Sequence, residues 1–187
     1  MHQLILTVIA LGLIAGLSVV TVRYLPAWAP VAQEVHELAR DGARTLINAY
    51  NLRVEADEGI APPVDVNRQD GGLDVYFRDY YTFLPRAPAG YAWTYGYTTE
   101  SQLLSDGYAG NASGGLNWFC LYPVAGGASE AIFRGLQRAQ RHFAETQYYV
   151  SALGVTSCGR PINTAAPSSF PAPVVVTVFV RYIPGNP

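Results

Sequence analysis

The sequence contains no lysine: its 12 basic residues are all arginine, they face 14 acids, and charged residues make up only 14% of 187 positions. With a formal net charge of -2 and no basic block, a nucleic-acid partner is not expected. Cysteine is scarce as well. Cys120 and Cys158 are the only two, and they do not form a C-x-x-C pair, which argues against thiol redox catalysis. The histidines His2, His36 and His142 make no H-x-x-x-H spacing, and none is near a cysteine in sequence. Neither a P-loop, a G-x-S-x-G nor a G-x-G-x-x-G occurs. No metal, cofactor or catalytic set is therefore expected, and the chain reads as a non-enzyme. What is plentiful is apolar surface. Half of the residues are hydrophobic and 12% aromatic, which argues against long disorder and suits one ordinary domain.

No charged side chain appears before Arg23. Within that stretch, Leu4 to Val22 is an apolar run interrupted only by Thr7, Ser18 and Thr21. A helix of that length spans roughly 28 Å, close to the hydrocarbon thickness of a bilayer. Arg23, Tyr24 and Trp28 follow, and all three suit the lipid–water interface. Residues 1–24 are thus expected to be a membrane anchor. Ala27-Trp28-Ala29 resembles a signal-peptidase site, but Pro30 would stand first in the mature chain, and the expectation is an uncleaved anchor. Gly12 and Gly16 share a helix face at G-x-x-x-G spacing, a candidate surface for packing on another membrane helix. Arg23 alone favours a cytoplasmic body, whereas pairing of Cys120 with Cys158 favours an oxidising compartment. The body is expected outside the inner membrane.

Residues 25–187 form one expected α+β domain. From Val31 to Tyr50 the apolar and small residues, among them Val35, Leu38, Leu46 and Ile47, recur at helical offsets. Glu34, Glu37, Arg40, Asp41 and Arg44 lie off that stripe, and His36 falls on the exposed side. Asn51 to Gly72 reads as a connection, and Leu73–Phe77 as a short strand. Tyr91, Trp93, Tyr95 and Tyr97 alternate along a strand. Packed on the amphipathic helix they would be core; left open they would be a stacking surface for a sugar or a partner. Leu116–Tyr122 and Val174–Ile183 read as strands, the latter buried on both faces. Ser129 to Ser151 carries a second helical stripe with Arg134, Arg138 and Arg141 outward and Ser129 as cap. A Cys120–Cys158 bond would close a loop of about 39 residues, contribute about 4 kcal/mol, and tie the loop before the last strand to the sheet.

This order resembles the type IV pilin architecture, in which an apolar N-terminal helix runs into an amphipathic helix covered by an antiparallel sheet, often with a cysteine-closed loop near the C-terminus. The matching features are Leu4–Val22, the Val31–Tyr50 stripe, the middle strands, and Cys120 with Cys158. Polymerising pilins carry glutamate at the fifth mature position, but the fifth residue after Gly12 is Leu17 and after Gly16 is Thr21. The chain is more similar to the small anchored accessory proteins of thin type IVb pili, the PilM-like group. Arg44-Thr45-Leu46-Ile47-Asn48-Ala49-Tyr50 resembles a helical stretch of that group, as do Gly159–Asn163 and Phe170–Pro173 its C-terminal part. The resemblance implies a lipid bilayer and other pilus or secretion subunits, or further copies of the chain, as partners. It implies placement in a bacterial inner membrane with the body in the periplasm, or at the cell surface after processing. It supplies no catalytic residues. A membrane-anchored or secreted binding module using strand 91–97 is the alternative.

Overall fold

The computed structural model describes residues 7–14, 27–62, 72–80, 83–124, 129–152, 158–165 and 174–181. The chain divides into two compact units, Met1–Pro30 and Val31–Pro187. In the first, residues 7–14 are helical, and Val8, Ile9, Leu11, Leu13 and Ile14 are all exposed. Gly12 lies on this helix with open space around it, whereas Gly16 and most of the Leu4–Val22 run fall outside the described residues. Among the described residues no helix is long and apolar enough to cross a membrane.

The second unit is α+β. Its sheet has four antiparallel strands, β1 (Tyr91–Thr98), β2 (Leu116–Pro123), β3 (Tyr148–Ala152) and β4 (Val174–Val180), in the order β1-β2-β4-β3. Among the described residues four α-helices accompany it: α1 (Ala29–Ala56), α2 (Gly72–Phe77), α3 (Glu100–Ser105) and α4 (Glu130–Gln140). The helical stripe of α1 runs beyond Tyr50 because Val54 is fully buried, one turn further along the same face. Val35, Leu46 and Tyr50 are core residues, and Leu38 and Ile47 are half-buried beside them.

Two segments differ from the sequence reading. Leu73–Phe77 is helical, not a strand. Leu73 and Phe77, four residues apart, are buried, while Val75, which alternation would place on their face, is 73% exposed. The second stripe also stops early: α4 ends at Gln140, a turn follows, and Tyr148–Ala152 is strand β3. The aromatic and β-branched run Tyr148-Tyr149-Val150 fits a pleated surface with both faces covered, and here that outweighs helical periodicity. The Ser129 cap is as expected, its hydroxyl accepting from the Ile132 N–H.

Both faces of the sheet are covered, so β4 is buried along its whole length. Val174, Val176, Val178 and Val180 join α1, α2 and α4 on one face, together with Tyr91, Trp93, Tyr95 and Phe119. Val175 and Phe179 join Trp118, Cys120, Leu103 and Tyr149 on the other. A sheet with one wet face would have exposed half of these side chains. A buried hydrogen bond from Asn117 Nδ2 to the Tyr50 hydroxyl (2.9 Å) ties β2 to α1. α4 crosses α1 at Gly135, where an added Cβ would stand 2.6 Å from the Ala32 carbonyl oxygen and 2.8 Å from Val35 Cβ.

Cys120 and Cys158 form the expected disulfide, with Cα atoms 5.7 Å apart. Around it, Trp118 Nε1 donates to Thr98 Oγ1, whose hydroxyl donates to the Gly159 carbonyl, and the Gly159 N–H donates to Thr177 Oγ1. Gly159 needs its positive φ of 79° here, and a side chain would collide with the Trp118 indole. The loop then runs along β3, which is an edge strand. The Val150 N–H donates to Asn163 Oδ1, the Thr164 N–H to the Val150 carbonyl, and the Ala152 N–H to Thr164 Oγ1. The unpaired backbone of that edge is thereby occupied. Arg160 forms an ion pair with Asp106, which secures the loop to the end of α3.

Two stability measurements follow. Gly135→Ala should cost about 1–3 kcal/mol by overpacking the helix crossing, read as a lower denaturant midpoint at unchanged slope. Cys120→Ala with Cys158→Ala should lose about 4 kcal/mol in the chain-entropy description, with amide exchange rising first in β3 and residues 162–164.

Candidate functional site

The aromatic row of β1 is core rather than surface. Tyr91, Trp93 and Tyr95 are buried, and only Tyr97, at 38% exposure, faces solvent. The Tyr95 hydroxyl donates to the Pro62 carbonyl (3.1 Å), and its ring meets Phe77 edge-on, with centroids 4.9 Å apart. Burial pushes the Tyr91 hydroxyl up to about 12 and raises that of Tyr95 further. The Tyr97 hydroxyl donates to the Gly114 carbonyl (2.7 Å). One half-exposed ring does not make a stacking platform.

A candidate contact surface lies along the flank of α1. An open groove of about 1010 Å³ runs between the outward face of α1 and the segment after α2. Gly42 and Leu38 form its helical wall. The Gly42 position is fixed from below, because a Cβ there would stand 2.9 Å from the Trp93 ring. Tyr80, Phe83, Leu84 and Pro85 form the opposite wall. Phe83 is 80% exposed and Leu84 51% exposed, adjacent large apolar side chains with little cover.

Glu34, Glu37 and Asp41 on α1 face Arg86 across the groove. Asp41 pairs with Arg40 at 2.7 Å, and that hydrogen bond holds its carboxyl below the usual carboxylate range while raising the guanidinium. Glu37 accepts from Gln33 Nε2 at 2.7 Å. The Thr45 hydroxyl is engaged with the Asp41 carbonyl. The groove thus combines an apolar wall with an acidic helix face, a composition suited to a peptide or protein surface. Among the described residues, nowhere do three or more His, Cys, Asp or Glu side chains converge.

Sequence patterns reach only one wall of this groove: Leu38 and the acids are legible on α1, but Phe83 and Leu84 are not. The signal was present as the aromatic and apolar stretch from Tyr80 to Pro85 between two elements, without a period to place it. The structure also revises His36. It is half-buried, and its Nε2 lies 3.1 Å from Nε2 of His142, which follows the end of α4. Burial first, then the nearby Arg40 charge, lowers the His36 imidazole from its ordinary value. Periodicity on one helix does not show a partner 106 residues away.

Because Phe83 and Leu84 are exposed, Phe83→Ser with Leu84→Ser should change unfolding free energy by no more than about 0.5 kcal/mol per site.

Comparison with protein-family models, with curated proteins and with solved structures gives no match for this chain.

Proposed function

We propose that the chain is a membrane-anchored, pilin-like structural or accessory component of a type IV pilus or a related secretion or conjugation machine. One observation carries this reading. An amphipathic helix lies on a four-stranded antiparallel sheet, and a disulfide-closed loop runs along the sheet's β3 edge. That order of elements, preceded in sequence by the uncharged run Leu4–Val22, is the order that pilin-like proteins share.

In this reading residues 1–24 are the anchor and residues 25–187 the body, held in the periplasm or, after processing, at the cell surface. Gly12 and Gly16 serve contacts within the bilayer, where small residues let helices approach. The groove between α1 and residues 80–85 serves contacts between bodies, with other subunits or further copies of the chain. The protein acts by contact. The alternative of a binding module on strand 91–97 gains no support, since three of its four rings are buried.

Photo-crosslinking in the native host tests the reading. A benzophenone side chain replaces Phe83 in the full chain, and membranes are isolated before the adducts and the intact mass are determined. The expected result is a membrane-bound chain that keeps the anchor, losing at most Met1, and is crosslinked to pilus or secretion subunits or to itself. A soluble chain lacking residues 1–29 and yielding no adduct would overturn it.

A further inference from the structure

We propose that His36 and His142 form a two-point site for a borderline transition-metal dication, Zn2+ or Ni2+, that clamps α1 to the turn after α4. The two Nε2 atoms stand 3.1 Å apart. Two imidazole nitrogens bound to one ion at about 2.0–2.1 Å, with angles between octahedral and tetrahedral, are separated by about 3 Å. The spacing found between these side chains is therefore that of two adjacent ligands.

The scaffold holds the two side chains close for reasons unrelated to either histidine. Gly135 seats α4 directly on Ala32 and Val35, the residue before His36. Beyond the helix, the His142 N–H bonds to the Ala139 carbonyl, and the neighbouring Phe143 ring stacks on the fully buried Tyr148, with centroids 4.9 Å apart. Both imidazoles thus project from backbone fixed by packing, the kind of support a ligand pair needs.

The rest of the surroundings sets the metal class and strength. No third His, Cys, Asp or Glu joins the pair in a cluster among the described residues, so water would complete the coordination. Two imidazoles with water suit Zn2+, Ni2+ or Cu2+ and not Mg2+ or Ca2+, which require oxygen ligands. Of the charges acting on His36, Arg40 is ion-paired with Asp41, and Glu37 opposes Arg138. The His36 Nδ1 is buried without a hydrogen-bond partner. A metal-bound histidine normally donates from that nitrogen, and the missing acceptor weakens binding about 10–100-fold. The site is accordingly a modest one that adds to stability by mass action.

The test uses the full chain in detergent with His2→Ala as the parent, because His2 and the amino terminus offer a competing ligand set. Isothermal titration with ZnCl2 and NiCl2 should give one ion per chain, with MgCl2 giving no heat. His36→Ala and His142→Ala should each weaken Zn2+ binding at least tenfold, and His142→Gln, which keeps a polar partner for His36, should do the same. Near-UV circular dichroism of the metal-free variants should match the parent, which separates a lost ligand from a lost fold. A parent that binds no Zn2+ at millimolar concentration overturns the site. So does any of the folded variants binding as tightly as the parent.

Discussion

The constraint on which the rest of this body depends is the burial of β2 and β4 on both faces. A sheet whose central strands are buried on both faces must be covered twice, and the two covers come from different parts of the chain. α1, α2 and α4 cover one face, while α3, residues 99–115 and the loop from Cys158 cover the other. The first cover is mostly contiguous helix and needs only a matching stripe. The second is largely irregular backbone, whose polar groups must find partners wherever they are buried.

Residues 158–165 show how that requirement is met. The disulfide fixes one end of the segment to the central strand, and Thr98, Thr177 and Trp118 satisfy the backbone of Gly159 and one another. From there Asn163 and Thr164 pair with the outer edge of β3, where an unpaired strand would invite edge-to-edge association. One covalent bond therefore serves two ends. It closes the second layer of the core and protects the β3 edge of the sheet.

α1 carries both surface features of interest, on different faces, the groove along Glu34, Leu38, Asp41 and Thr45 and the histidine pair where α4 packs on it. Small residues at Gly42 and Gly135 let the indole of Trp93 and helix α4 approach α1 closely from below and from the side. The first contact leaves the floor of the groove beside Phe83 and Leu84, and the second brings His142 to His36. Phe83, Leu84, His36 and His142 stand outside the buried core, which is why these side chains can be altered without dismantling the fold.

Legible in the sequence were the α+β class, the amphipathic face of α1 and the strands from Tyr91, Leu116 and Val174, with a Cys120–Cys158 bond as one of two open readings that the structure then decided. Each of the elements rests on a local period. Tertiary structure decided the rest. Leu73–Phe77 is too short for its period to distinguish strand from helix until the exposure of Val75 is known. Tyr148–Ala152 shares a stretch with a true helical stripe, and only its place beside β4 makes it a strand. The aromatic row of β1 became core because α1 and α2 lie over it. The groove walls and the histidine pair join residues tens of positions apart, and no local pattern encodes contacts made across the fold.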